Sequence, residues 1–247
     1  MEEAYQIFSY LPLRYRTDEE TEYVQYLWKA FENNYQNGQY QFAFMSYHML
    51  FMCFVYFTIW KIKSIHPADF EKISLGFDEC IEKSCSPFGY SEENESKILL
   101  IFKFWGMAER IGEYKKLIKE RNKIAHSNGN IFYKDQQSID CKIDEFIKFC
   151  KEIQRKTKAT IEQSYKEFLS ENHSVEDSAY STLEELLSDE FISKHYISEK
   201  DMQLCCKYSI SSLVSSDNYR EIYNIHTNIV KLYKEEQDGE NCHNIPN

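Results

Sequence analysis

Apolar positions recur along this chain at helical spacing and almost nowhere alternate. Tyr23, Leu27 and Phe31 fall at i, i+4 steps on one face of a helix that Gly38 ends. Thr17-Asp18-Glu19-Glu20 reads as a capping box at its start. A second helix is predicted over 40–64. A third, over 67–84, has Pro67 in its first turn and Phe70, Ile73, Phe77 and Ile81 on one face. A fourth starts at Ser91 with Ile98, Leu99, Phe102 and Trp105. It keeps its spacing through Ile111, Tyr114, Leu117, Ile118 and Ile124 to His126, with Gly106 and Gly112 as kinks. A long helix follows from Ser138 to Ser170, lined by Ile143, Phe146, Ile147, Cys150 and Ile153.

The polar, acidic stretch from Ser170 to Ser178 predicts a linker or surface loop. Three shorter helices are expected beyond it, over 182–195, 198–214 and 217–236, opened by Thr182, Ser198 and Asp217 as caps. Residues 238–247 read as a disordered tail. Runs such as Ile131-Phe132-Tyr133 are too short for strands. The expected fold is all-α: a helical bundle over 1–170 and a smaller C-terminal helical extension over 171–237.

One segment changes the picture. Phe42 to Trp60 is nearly continuous in apolar residues and long enough to approach a membrane span. Ser46, Tyr47, His48, Tyr56 and Thr58 interrupt it, and no second such run exists. It therefore predicts the central buried helix of a bundle, with no membrane; a membrane anchor is the competing reading. Within it, His48 is expected as a core histidine bonded to a backbone carbonyl or a tyrosine, with a place in a functional site as the alternative.

Composition agrees with a packed helical chain. Of 247 residues, 16% are aromatic against only 7 Gly and 4 Pro, which favours large buried rings and long helices. The net charge of −11 excludes a whole-surface electrostatic grip on nucleic acid. Any such contact must be local, and Lys115, Lys116, Lys119, Arg121 and Lys123 form a local basic cluster, or else a solvated helix face. The 8 cysteines form no CxxC pair, and the start Met1-Glu2-Glu3 is acidic. Reduced, mostly buried thiols of a cytoplasmic protein are expected. His195 with Cys205 or Cys206 fits no zinc-ligand spacing, so neither metal nor cofactor is expected.

The candidate chemistry lies at Arg121-Asn122-Lys123-Ile124-Ala125-His126, followed at once by Ser127-Asn128-Gly129-Asn130. Arginine offers a permanently charged planar fork to phosphate oxygens, and histidine can move a proton near neutral pH. Asn122 is placed to fix either of them or a substrate phosphate. On a regular helix, positions i and i+5 are about 140° apart, so Arg121 and His126 converge only if the helix unwinds near Ala125-His126. Alternatively, two copies of the motif meet across a symmetric dimer. Glu109 and Glu113 are candidates for orienting Arg121, or else exposed helix acids; in the plainer alternative Arg121 only pairs with an acidic neighbour such as Glu113 and His126 caps the helix end.

The phrase Arg-Asn-Lys-Ile-Ala-His, near the end of one bundle helix and before another, resembles the signature of the HEPN superfamily. The resemblance covers roughly 18–170. It implies a HEPN-like four- to five-helix bundle that forms a homodimer with a composite, metal-independent endoribonuclease site. There the ribose 2′-OH attacks its own phosphate and leaves a cyclic phosphate end. Carried over, Arg121 and His126 are the catalytic pair, Asn122 the polar residue between them, and Lys116, Lys119 and Lys123 RNA-binding neighbours. Such proteins are typically prokaryotic toxins or defence effectors, so a cognate antitoxin or defence-system partner is implied. In one toxin branch a tyrosine stands two residues after the histidine; here that position is Asn128, and the next tyrosine is Tyr133. The alternative is a non-catalytic HEPN-like module that binds RNA or a protein.

Overall fold

The computed structural model describes residues 1–77, 79–126, 129–172 and 180–240, excepting the side chains of residues 79, 80 and 234–240. The fold is all-α. Among the described residues no strand occurs, only an antiparallel bridge between Pro12 and Ser198. A short helix α1 (Glu2–Tyr5) leads in, then α2 (Asp18–Gln36) and α3 (Tyr40–Ile65) form an antiparallel hairpin through Gly38, whose φ is 70°. Only glycine adopts that left-handed turn at little cost.

At the start of α2 the Thr17 hydroxyl accepts from the Glu20 amide. Glu20 does not close a capping box onto Thr17. It reaches one residue further, to the Arg16 amide (3.0 Å), and its other oxygen accepts from the Tyr196 hydroxyl (2.9 Å). The acid is 6% exposed, so both bonds offset the cost of burying it.

Helix α3 is the axle of the fold. It is buried on nearly every side, and 78% of its most apolar 18-residue window lies inside the protein. Its rings interlock with neighbours: Tyr47 with Phe31 (5.0 Å), Phe51 with Phe146 (5.1 Å) and Phe44 with Tyr133 (4.9 Å). Each buried ring contributes roughly 1.5–3 kcal/mol of transfer free energy.

The third and fourth predicted helices are broken. The 67–84 segment splits into α4 (Pro67–Ser74) and α5 (Glu79–Lys83). The 91–126 segment becomes a 3-10 turn (Pro87–Glu92), α6 (Glu95–Ile98), a 3-10 stretch (Leu99–Trp105) and α7 (Ile111–Ala125). Local capping explains much of this: Ser86 accepts from Phe88 N, Asn94 accepts from Ser96 N, and Gly106 takes a left-handed φ of 71°.

Asp135 caps α8 (Gln136–Glu171), whose 36 residues span about 54 Å. Its first half, to Ile153, packs into the α3 core; from Ile161 onward it packs into a second core with α9 (Leu183–Leu187), α10 (Glu199–Cys206) and α11 (Tyr219–Glu240). Thr182 and Ser198 cap α9 and α10 as expected, whereas α11 begins at Tyr219. The expected linker falls mostly on 173–179, outside the described residues, as do 241–247 of the expected tail; α11 itself continues to Glu240.

Polar links join the two cores. Lys61 of α3 forms an ion pair with Asp201 of α10, both almost fully buried. The Arg16 guanidinium donates to the Ser193 and Lys194 carbonyls and lies 4.8 Å over the Tyr196 ring. Tyr196 itself sits at φ 50°, a conformation non-glycine residues adopt only under constraint.

Candidate functional site

Helix α7 buries Ile111, Tyr114, Leu117 and Ile118 and ends at Ala125. His126 leaves the helix in an extended conformation (φ −92°, ψ 134°), with its amide donating to the Asn122 carbonyl at 3.2 Å. The helix therefore unwinds where convergence of Arg121 and His126 required it. His126 and Asn122 are exposed. Ser127 and Asn128 lie outside the described residues, and Gly129 returns in a left-handed conformation (φ 76°).

Arg121 occupies the next position of the α7 stripe that Leu117 and Ile118 define, so it points toward the body of the protein. Its Nη2 pairs with Glu95 Oε1 on α6; the side chains are 26% and 18% exposed. The other oxygen, Oε2, lies 3.0 Å from His48 Nε2 on the central helix. Three elements distant in sequence thus meet in a chain His48–Glu95–Arg121. Burial pushes the Glu95 carboxyl up, but the bond and charge of His48 and the Arg121 guanidinium outweigh it and hold the acid below the usual carboxylate range. Since the ionised acid only accepts, His48 must carry its proton on Nε2. Its Nδ1 is buried and has no hydrogen-bond partner.

Two expectations change here. His48 bonds a carboxylate, not a carbonyl or tyrosine. Glu95, which sequence reasoning missed, orients Arg121; Glu113 pairs instead with Arg110, which also holds Glu152 (3.0 Å). The only sequence signal for Glu95 was its place beside the Asn94 cap.

Lys116, Lys119 and Lys123 are exposed. At 100° per residue they fall within about 60° of one another and roughly 140–160° from Arg121. The lysine stripe and the arginine therefore use different faces of α7. Beyond the loop, Phe132 N donates to Gln41 (2.9 Å), and the buried Tyr133 donates to Glu120 (2.7 Å), which also holds Lys142. Tyr133 is thus a structural anchor rather than an accessible hydroxyl.

Among the described residues, no group of three His, Cys, Asp or Glu is placed to hold a metal ion. His195 bonds the Ser64 hydroxyl (2.8 Å), and burial with three nearby cations lowers its pKa to about 4. A cleft of about 660 Å³ opens between α2, α3 and residues 85–95; Glu95 lies on its wall, but Arg121, Asn122 and His126 do not. No protein-family model, curated protein or solved structure matches the chain.

Proposed function

We propose that this chain is a HEPN-type, metal-independent endoribonuclease that works in the cytoplasm as a homodimer, as a toxin or defence effector. The observation that carries the reading is the end of α7. An exposed histidine leaves the helix one turn after an arginine that is already oriented by a half-buried carboxylate backed by a buried histidine. A pre-set guanidinium needs little reorganisation when charge builds on the non-bridging oxygens of a phosphate.

In this reading the 2′-oxygen of one ribose attacks the adjacent phosphorus. The 2′-O–P bond forms and the bond to the 5′-oxygen of the next nucleotide breaks. His126 moves the proton taken from the 2′-OH or given to the leaving 5′-oxygen, and its twin in the partner subunit performs the complementary transfer. Arg121 stabilises the phosphorane charge, and Asn122 hydrogen-bonds the phosphate. Lys116, Lys119 and Lys123, on the other face of α7, contact RNA phosphates away from the scissile one. The products are a 2′,3′-cyclic phosphate and a 5′-hydroxyl, with no metal required.

A second reading draws on the same contact. Because Arg121 is ion-paired, α7 could serve a non-catalytic module that binds RNA or a protein through its lysine stripe. Purified protein incubated with RNA in EDTA separates the two. Cyclic phosphate ends that vanish in His126→Ala support the nuclease, and binding without product supports the module.

A further inference from the structure

The cleft between α2, α3 and residues 85–95 holds none of the proposed catalytic residues, yet it is built like a small-molecule site. Its volume of about 660 Å³ lies within the range that encloses a drug-sized ligand. Tyr23, Met49, Met52 and Phe88 supply an apolar, polarisable wall; Tyr23 and Met49 are exposed at its rim (39% and 40%).

Beside the hydroxyls of Thr17, Ser86 and Ser91, the charged groups of the wall are mostly acidic. Glu20 and Glu95 place carboxylates on the wall, with Glu19 beside them; Glu20 already accepts from Arg16 N and Tyr196, and Glu95 from Arg121 and His48, so an added ammonium shares or competes for those oxygens. The cation on this wall, Arg16, has its guanidinium committed to the Ser193 and Lys194 carbonyls and stacked over Tyr196. The Tyr56 hydroxyl makes no hydrogen bond among the described residues, although the residue is only 6% exposed and lines the cleft. Burial and the charge of Glu95 push that phenol's pKa up, so it remains a neutral O–H at physiological pH. The Tyr56 hydroxyl is thus a donor available at the cleft wall, and among the described residues the charged groups of that wall are Glu19, Glu20, Glu95 and the engaged Arg16, so negative charge prevails.

We infer that this cleft binds a small amphipathic organic cation, an aryl-alkylamine whose ring lies against Met49, Met52, Tyr23 and Phe88 and whose ammonium sits among Tyr56, Glu20 and Glu95. Cation–π attraction from the tyrosines and charge-assisted bonds to the carboxylates both select the charged amine over neutral or anionic analogues. Glu95 also holds Arg121, so an ammonium there competes for the same carboxylate. A resulting loss of RNA cleavage rests on the proposed nuclease; the binding does not.

Calorimetric titration of the full chain with tryptamine, tryptophol and indole-3-acetate tests the inference, since the three differ mainly in charge. Tryptamine binds, tryptophol binds at least about tenfold more weakly, and indole-3-acetate gives no heat. Two substitutions that keep the fold are expected to weaken tryptamine: Met49→Lys, which adds a like charge at an exposed rim position, and Tyr56→Phe, which removes the hydroxyl. In a parallel readout, tryptamine slows iodoacetamide labelling of Cys85, an exposed thiol on the cleft wall, and leaves exposed Cys141 unaffected. Equal affinity for tryptophol, an unchanged affinity in Met49→Lys, or Cys85 labelling indifferent to tryptamine overturns the site. If tryptamine binds as stated while no RNA is cut, the nuclease reading fails and this one stands.

Discussion

Glu95 holds Arg121 through Oε1 and turns its other oxygen to His48 at 3.0 Å, tying the end of α7 to the central helix. The acid is largely enclosed and ionised, so it fixes the direction of a guanidinium that would otherwise swing freely on three methylenes. In the proposed nuclease Glu95 is a positioning residue, with His48 behind it.

Glu95→Gln keeps the size of the side chain and removes the charge. Cleavage is expected to lose about tenfold or more in kcat, with KM changed by less than about twofold, because the arginine acts on transition-state charge more than on ground-state binding. A change confined to KM would show that Arg121 only grips RNA.

His126→Ala is expected to abolish cleavage and to leave stability within about 0.5 kcal/mol of the parent, because the side chain is exposed at a helix end. Denaturant unfolding followed by circular dichroism reads the second half. Arg121→Ala also abolishes cleavage but destabilises measurably more, since it leaves Glu95 unpaired in a mostly enclosed site.

These residues were unequally visible before the structure. Helices α2, α3 and α8 were legible because each has a long apolar stripe, with Gly38 as a clear break between the first two; the Asp135 cap that starts α8 two residues before the expected Ser138 was not read. The 91–126 segment read as one helix because its apolar spacing persists through 3-10 turns; the left-handed Gly106 and the caps at Ser86 and Asn94 override that spacing locally. The end of the site helix at His126 was legible from the polar Ser127-Asn128-Gly129 that follows. The His48–Glu95–Arg121 contact was not, because it is created by tertiary packing between residues 47 and 26 positions apart, and no local pattern encodes it.

The buried pair Lys61–Asp201 gives a stability prediction independent of function. Lys61→Met leaves Asp201 charged and enclosed and is expected to cost about 3–5 kcal/mol in urea unfolding. Adding Asp201→Asn should recover part of that loss, because the amide oxygen can still accept from Ser198 N, now at 3.1 Å from the carboxylate, with neither charge left buried. A double variant as unstable as the sum of its two singles would contradict this coupling.

His195 sets a pH dependence. Its pKa falls from 6.5 to about 4 on folding, so between those values the unfolded chain binds more protons than the folded one. Stability therefore falls as pH drops through this window, by about 1.4 kcal/mol per pH unit from this group at the steepest. Urea midpoints measured from pH 7 to 4 should show the fall, and His195→Gln should flatten that part of the curve.

The proposed site is shared by two chains, and the separation of the two His126 side chains in the dimer decides whether it exists. A crystal structure of the dimer with a non-cleavable, 2′-methoxy RNA should place both His126 rings and both Arg121 guanidinia around one scissile phosphate. Two His126 rings far apart on outer faces, or a chain that remains monomeric with RNA bound, would contradict it.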